Sequence, residues 1–135
     1  MYDALFKQVG VIRAQTFSDL LDIPAALASS RVLRGNRVAI LTSTGGAGTL
    51  VSDALGVNGF DAPAPDAETA GRLRALQTGD HAALDRNPID VTLAGLQPDL
   101  LRGAVNALLD SPSYDALIVI AGSSSLAMPE LMAGA

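Results

Sequence analysis

Apolar positions fall along the chain in two alternating rhythms. Tyr2, Leu5, Phe6 and Val9 repeat at helical spacing and stop at Gly10. Val11 to Ala14 then reads as a short strand. Thr16 opens "TFSD", a capping-box-like start with Asp19 in place of the usual Glu, and Phe17, Leu20, Leu21, Pro24, Leu27 and Ala28 line one face of the predicted helix. Pro24 within that face predicts a kink or a split. After a polar connector, Ser29 to Asn36, the run Val38 to Leu41 is apolar throughout, the pattern of a strand buried on both faces. Helical spacing returns from about Ala47 to Asn58 in Leu50, Val51, Ala54, Leu55 and Asn58, with Gly59 as the stop.

The second half repeats the alternation. Phe60 to Pro65 reads as an edge strand because its two prolines cannot donate to a ladder. Asp66 is placed to cap a helix running through Leu76, and Thr78 to Arg86 reads as loop. "NPIDVT", Asn87 to Thr92, predicts a turn entering a short extended segment, since a residue before proline avoids the α region. Pro98 suits the first turn of a helix to Leu109, with Leu101, Val105, Leu108 and Leu109 inward. Ala116 to Ala121, "ALIVIA", is the clearest strand. It ends in "GSSS" ahead of a last helical piece around Pro129 to Met132. Strands alternating with helices predict an α/β domain with a mainly parallel sheet. Residues 1–35 read as a helix-strand-helix connector and 36–135 as the domain proper, with a C-terminal truncation expected because the chain stops just inside a helix.

Composition narrows the classes. At 135 residues the chain has the size of one ordinary domain, and its 49% apolar content is built from small residues, with three Phe, two Tyr and no Trp. A net charge of −5 with nine Lys and Arg and no basic run speaks against nucleic acid and against an anionic membrane surface. No apolar run approaches the roughly 20 residues that span a bilayer. Without Cys there is no disulfide framework, thiolate nucleophile or Cys-based metal site. "MYDALFKQVG" lacks the pattern of a signal peptide, so the cytoplasm is the expected compartment.

Candidate chemistry centres on "RVAILTSTGGAGTL", Arg37 to Leu50, where a strand becomes a helix through Gly45, Gly46, Ala47 and Gly48. A helix N-terminus presents unpaired N–H groups and the positive end of the helix dipole, and glycines let an anion come close. The loop is neither a Walker loop, since no Lys follows, nor the dinucleotide fingerprint. A tight turn needing glycine for positive φ is the plain alternative. Elsewhere His81 lies in a polar loop and reads as solvated. The serines of "GSSS" fall on the ligand side of the sheet but read as a turn. Asp3, Asp19, Asp66 and Asp99 fit helix starts. No carboxylate and His grouping makes a metal site. Ser43 and Ser52 lack a base and the G-x-S-x-G elbow of a hydrolase. The strand ending at Leu41 offers none of the acidic residues a response regulator needs, and scarce aromatic residues remove the usual stacking partners of a flavin.

At this loop the chain also resembles a known family. "GNRVAILTSTGGAGTLVSDALGVNGFD", "NPIDVT" and the opening "YDALFKQVGVIRAQTFSDLLDIPAAL" are together similar to NDP-forming acyl-CoA ligases, the succinyl-CoA synthetase superfamily that includes ADP-forming acetate-CoA ligases and the ligase-like half of protein acetyltransferases. The resemblance implies a flavodoxin-like three-layer sandwich whose glycine loop, close to T-N-A-G-G-P-G in the family, faces a phosphohistidine during phosphoryl transfer. Thr42, Gly45, Gly46 and Gly48 match that pattern, while Ser43 and Ala47 replace its Asn and Pro. Asn87 to Asp90 matches the family's N-P-[VI]-D segment. The implied phosphate-binding residues are Gly45, Gly46, Ala47 and Gly48, supported by Thr44, Thr49, Asn87 and Asp90, with no catalytic residue in the chain. The family uses CoA, ATP or ADP, and Mg. This chain is expected to bind none of them by itself and to need a phosphohistidine-bearing, CoA-binding domain and an ATP-grasp domain or subunit as partners. The phosphorylated His of the family lies in a Ser-His-Thr-Gly-like stretch expected upstream of Met1. A homodimer through exposed apolar surface is a further expectation. The alternative is a non-catalytic flavodoxin-like binding module that has lost the chemistry.

Overall fold

A computed structural model of the chain describes residues 2–29, 32–76, 84–92 and 97–122. His81, Ser123 to Ser125, the piece at Pro129 to Met132 and most of the loop from Thr78 lie outside the described residues. The chain divides into two compact units, Met1–Val32 and Leu33–Ala135.

The first unit holds α1, Tyr2–Gln8, and α2, Asp19–Ala28. Gly10 takes φ 75°, and behind it the Val11 N–H donates to the Phe6 carbonyl at 2.8 Å and the Gly10 N–H to Lys7 at 3.4 Å. This is a Schellman ending, and it explains why the strand predicted over Val11 to Ala14 does not form: the backbone there closes a helix and pairs with no described strand. The predicted capping box does form. Asp19 N–H donates to Thr16 Oγ1 at 3.1 Å, and Asp19 Oδ2 accepts from Thr16 N–H at 2.9 Å and Gln15 N–H at 2.7 Å. Pro24 lies inside α2 without splitting it. Neither helix buries a residue.

The second unit is built on β1, Val38–Thr42, with α3, Gly45–Val57; α4, Ala67–Ala75; β2, Ile89–Asp90; α5, Pro98–Leu109; and β3, Ala116–Ile120. The strands form a three-stranded sheet ordered β2-β1-β3, parallel throughout, with Val38 to Thr42 beside Ala116 to Ile120 and Leu41 beside Ile89. β1 is central and buried along its whole length, as its unbroken apolar run predicts. The edge strand expected over Phe60 to Pro65 shrinks to one parallel bridge, Arg37 to Asp61. Its place along β1 is taken by a side chain. Asn87 Oδ1 accepts from the Ile40 N–H at 3.0 Å, and its Nδ2 donates to the carbonyls of Val38 at 2.7 Å and Pro63 at 3.1 Å. An amide can replace a strand here because it carries the same donor and acceptor as a peptide group.

Ala39, Leu41, Leu73, Leu84, Ile89, Val91, Leu101, Ala104, Ala107 and Leu108 make the core. In α5 the inward stripe includes Ala104 and Ala107, whereas Leu109, predicted inward, is 65% exposed. Small residues let α5 approach closely: a Cβ at Gly103 would stand 2.7 Å from a methyl of Leu76, the residue that caps α4. The architecture is α/β with an all-parallel sheet, in keeping with the flavodoxin-like fold that the resemblance implies. Among the described residues no helix is long and apolar enough to cross a membrane.

Candidate functional site

The carboxyl edge of the sheet gathers the residues of interest. β1 leaves the sheet at Thr42, whose Oγ1 accepts from the Thr44 N–H at 2.9 Å and donates to the Thr44 carbonyl at 3.0 Å. That side-chain turn aims the chain into α3. Thr44 is extended, with φ −139° and ψ 93°, and gives the helix no side-chain cap. α3 therefore starts at Gly45, earlier than the sequence spacing predicted. Ala47 and Gly48 N–H groups donate to the Thr44 carbonyl at 3.0 and 3.2 Å. The N–H groups of Gly45 and Gly46 meet no acceptor among the described residues. Two donors and the positive end of the dipole thus face outward.

Why glycine stands at these positions is not positive φ. The described glycines with positive φ are Gly10 and Gly59, so the plain turn explanation does not apply to the loop. Close approach explains two of the three. A Cβ at Gly45 would lie 2.7 Å from Asp90 Oδ2, and one at Gly48 would lie 2.9 Å from Thr42 Cγ2 and 3.1 Å from Pro88 Cβ. Gly46 is different, since nothing among the described residues lies within 4 Å of its missing Cβ. Packing requires Gly45 and Gly48, and leaves Gly46 open to whatever comes to the helix head.

Asp90 ends β2 with its Oδ1 accepting from the Thr92 N–H at 2.8 Å and its Oδ2 against Gly45. Thr92 adopts φ 56°, a left-handed conformation unusual for a β-branched residue, held by that bond to Asp90. At the end of β3, Gly122 faces the loop: a Cβ there would stand 2.6 Å from Thr44 Oγ1 and 3.6 Å from Ser43 Oγ. Ser43 Oγ is buried with no hydrogen-bond partner among the described residues, a state that costs about 1–3 kcal/mol where no partner is supplied. Ser43 lines a cleft with Leu41, Val91, Leu101, Val119 and Ala121.

Of the residues singled out from sequence, the structure brings Thr44, Gly45, Gly46, Ala47, Gly48 and Asp90 to one edge. Thr49 turns back, its hydroxyl donating to the Gly45 carbonyl at 3.2 Å, and the Asn87 amide is committed to β1 and Pro63. Both therefore support the framework and present no group to a ligand. Sequence reasoning set Ser43 aside as a nucleophile and noted it only as the replacement for the family's Asn, read Gly122 in "GSSS" as part of a turn, and gave Thr92 no role beyond the end of "NPIDVT". Among the described residues no group of three or more His, Cys, Asp or Glu could hold a metal.

A parallel α/β sheet whose carboxyl edge opens on a glycine-headed helix places the chain in the flavodoxin-like class of α/β domains. The chain is, more particularly, homologous to a segment of ADP-forming acetate–CoA ligases. It is 34% identical over 120 residues to the alpha subunit of acetate–CoA ligase [ADP-forming] II of Pyrococcus furiosus, covering 89% of this chain and 25% of that subunit. Acetyl-coenzyme A synthetase 1 of Ca. Korarchaeum cryptofilum, described as dinucleotide-forming and solved in its apo form, superposes with a TM-score of 0.76 at 30% identity over 89% of this chain and 26% of that one. A solved protein of Pyrococcus horikoshii gives a TM-score of 0.75 at 36% identity, covering 89% and 27%. The chain spans about a quarter of the length of each of these proteins. No family model matches it.

Proposed function

We propose that this chain is the phosphate-facing portion of an NDP-forming acyl-CoA ligase, an enzyme converting acid, CoA and ATP to acyl-CoA, ADP and phosphate. In this reading the head of α3 stabilises the phosphoryl group of a phosphohistidine carried by another part of the enzyme. The observation that carries it is the pair of unpartnered N–H groups on Gly45 and Gly46 at the carboxyl edge of a parallel sheet. Further support comes from the relatives' names and from a structure of the Korarchaeum synthetase in complex with phosphate and ADP. The chain's contribution is electrostatic: backbone donors and the dipole meet charge on the phosphoryl oxygens, and no residue here makes or breaks a bond to phosphorus. The Asp90 carboxylate beside Gly45 opposes any phosphate charge at the helix head, so a phosphoryl group tethered by a partner, present at high effective concentration, occupies the site more readily than phosphate from solution. The partners are the phosphohistidine-bearing, CoA-binding part and the ATP-grasp part, in the cytoplasm where CoA and ATP are supplied.

Gly46 provides the test, because its side-chain space is empty and an acidic residue in the first turn suits the helix. In the enzyme reconstituted with its phosphohistidine and ATP-grasp parts, Gly46→Asp should fold normally and slow phosphohistidine turnover at least tenfold, about 1.4 kcal/mol of lost stabilisation. Gly46→Ala should retain it. Normal turnover by Gly46→Asp would show that the α3 head is not the phosphate site.

A further inference from the structure

Large apolar side chains are exposed unevenly over the two units. Among the described residues fifteen are exposed, and ten of them fall in Met1–Val32, much the smaller unit. They are not scattered. In α1 Leu5 and Val9 lie one turn apart, and leading into and along α2 Phe17, Leu20, Leu21 and Leu27 keep the spacing of one helix face, all more than half exposed. None of the described residues of this unit is buried, and Cys is absent from the chain, so neither a core nor a disulfide holds the two helices together. The charges beside the stripes are already engaged. Asp3 pairs with Arg13, Asp19 closes the capping box, and beyond Asp22 the helix carries no charged residue. A helix lying on a membrane surface would need Lys and Arg along its polar face, and α2 has neither.

We propose that the apolar faces of α1 and α2 are a docking surface for an apolar face of the phosphohistidine-bearing, CoA-binding part of the same enzyme. This rests on the reading of the chain as a portion of an acyl-CoA ligase. Proportion points to the occupant: 89% of this chain matches 25% of the Pyrococcus furiosus alpha subunit, so the remaining three quarters of such a subunit is polypeptide held within reach of these helices. Within one subunit the two surfaces meet at high effective concentration, which favours that contact over a second copy of the chain from solution. Burial of apolar area supplies the attraction, because the stripes are built of Leu, Val and Phe and offer a partner no charge. The surface holds the chain to the part that carries the phosphoryl group, a role separate from that of the α3 head.

Titration of the full chain with the purified phosphohistidine-bearing, CoA-binding part, followed by calorimetry and amide hydrogen exchange, tests this. Binding should slow exchange in α1 and α2 about tenfold or more while the β1 amides, already buried, change little. Leu21→Asp and Leu21→Lys should each weaken association about tenfold, and Leu21→Met should keep it, because what is lost is apolar surface and not a charge of one sign. Val57→Lys, at the far end of α3 from its head and more exposed than Leu21, should associate as the unaltered chain does. All four variants should melt as the unaltered chain does, since both positions are exposed. Association that is tight but indifferent to both charged variants at Leu21 overturns the docking surface and leaves the acyl-CoA ligase reading in place. No association of the unaltered chain overturns both. A chain that sediments alone as a dimer, and as a monomer with Leu21→Asp, makes the surface a contact between two copies and likewise overturns the proposal. Association broken by Leu21→Asp, together with normal phosphohistidine turnover by Gly46→Asp, would keep this surface and remove the α3 head as the phosphate site.

Discussion

The two units of this chain are stabilised by opposite means. In Met1–Val32 the helices are closed by their own neighbours: a Schellman ending at Gly10, a capping box between Thr16 and Asp19, and an exposed ion pair between Arg13 and Asp3 at 2.6 Å. No residue of α1 or α2 is buried, and Phe17 and Leu21 are 78% and 62% exposed. In Leu33–Ala135 the ties are long-range. β1 is fully enclosed, and Asp66, the N-cap of α4, also receives the hydroxyls of Ser111 and Ser113 from the segment before β3. Local hydrogen bonds define a helix's ends but contribute increments of about 1 kcal/mol, whereas burial couples distant segments into one cooperative unit.

The sharpest way to break that contrast is to truncate one leucine in each unit. Leu41→Ala, in the wall of the core, should cost about 3 kcal/mol or more in urea unfolding, while Leu21→Ala should change stability by no more than about 0.5 kcal/mol. Equal effects would mean that α2 is buried in a way the chain alone does not reveal.

Acid provides a second, smaller separation. The Asp66 carboxyl is held well below the usual carboxylate range, chiefly by the Thr69 N–H and then by the hydroxyls of Ser113, Thr69 and Ser111. Because its folded pKa is the lower one, the stabilisation is complete above the unfolded value, about 3.9, and drains away as pH falls below it. Urea midpoints measured from pH 6 down to 2.5 should fall below about pH 4, and Asp66→Asn should flatten that fall. Asp19 is lowered in the same direction by the N–H groups of Gln15 and Thr16, but its protonation should loosen only its own helix start.

The smallest effect should be the most local. Thr16→Ala removes the acceptor of the Asp19 N–H and should cost about 1 kcal/mol, read by hydrogen exchange as faster exchange in the first turn of α2 with β1 amides unaffected.

Much of the architecture could be read without coordinates. β1, α5 and β3 lie where apolar runs, a first-turn proline and the "ALIVIA" segment put them, because each signal is carried by residues adjacent in the chain. The capping box of α2 was legible for the same reason. The failures share the opposite cause. Val11 to Ala14 has strand-like residues but no strand to pair with, and Phe60 to Pro65 yields most of its edge to the Asn87 side chain, which arrives from more than twenty residues away. Neither fact is written locally.

At the candidate site the division is similar. Sequence by itself determined that a buried strand runs through glycines into a helix, that strands alternating with helices call for a mainly parallel sheet, and that the chain is similar to acyl-CoA ligases, since periodicity and motif order are properties of the string. Tertiary structure decided what each glycine is for. Gly45 and Gly48 make room for Asp90, Thr42 and Pro88, and Gly46 faces open space. It also decided that the Asn87 amide serves the sheet and that the Ser43 hydroxyl is buried with no partner among the described residues. Those outcomes depend on which atoms of distant segments meet across a few ångströms, and no spacing along one chain encodes that distance.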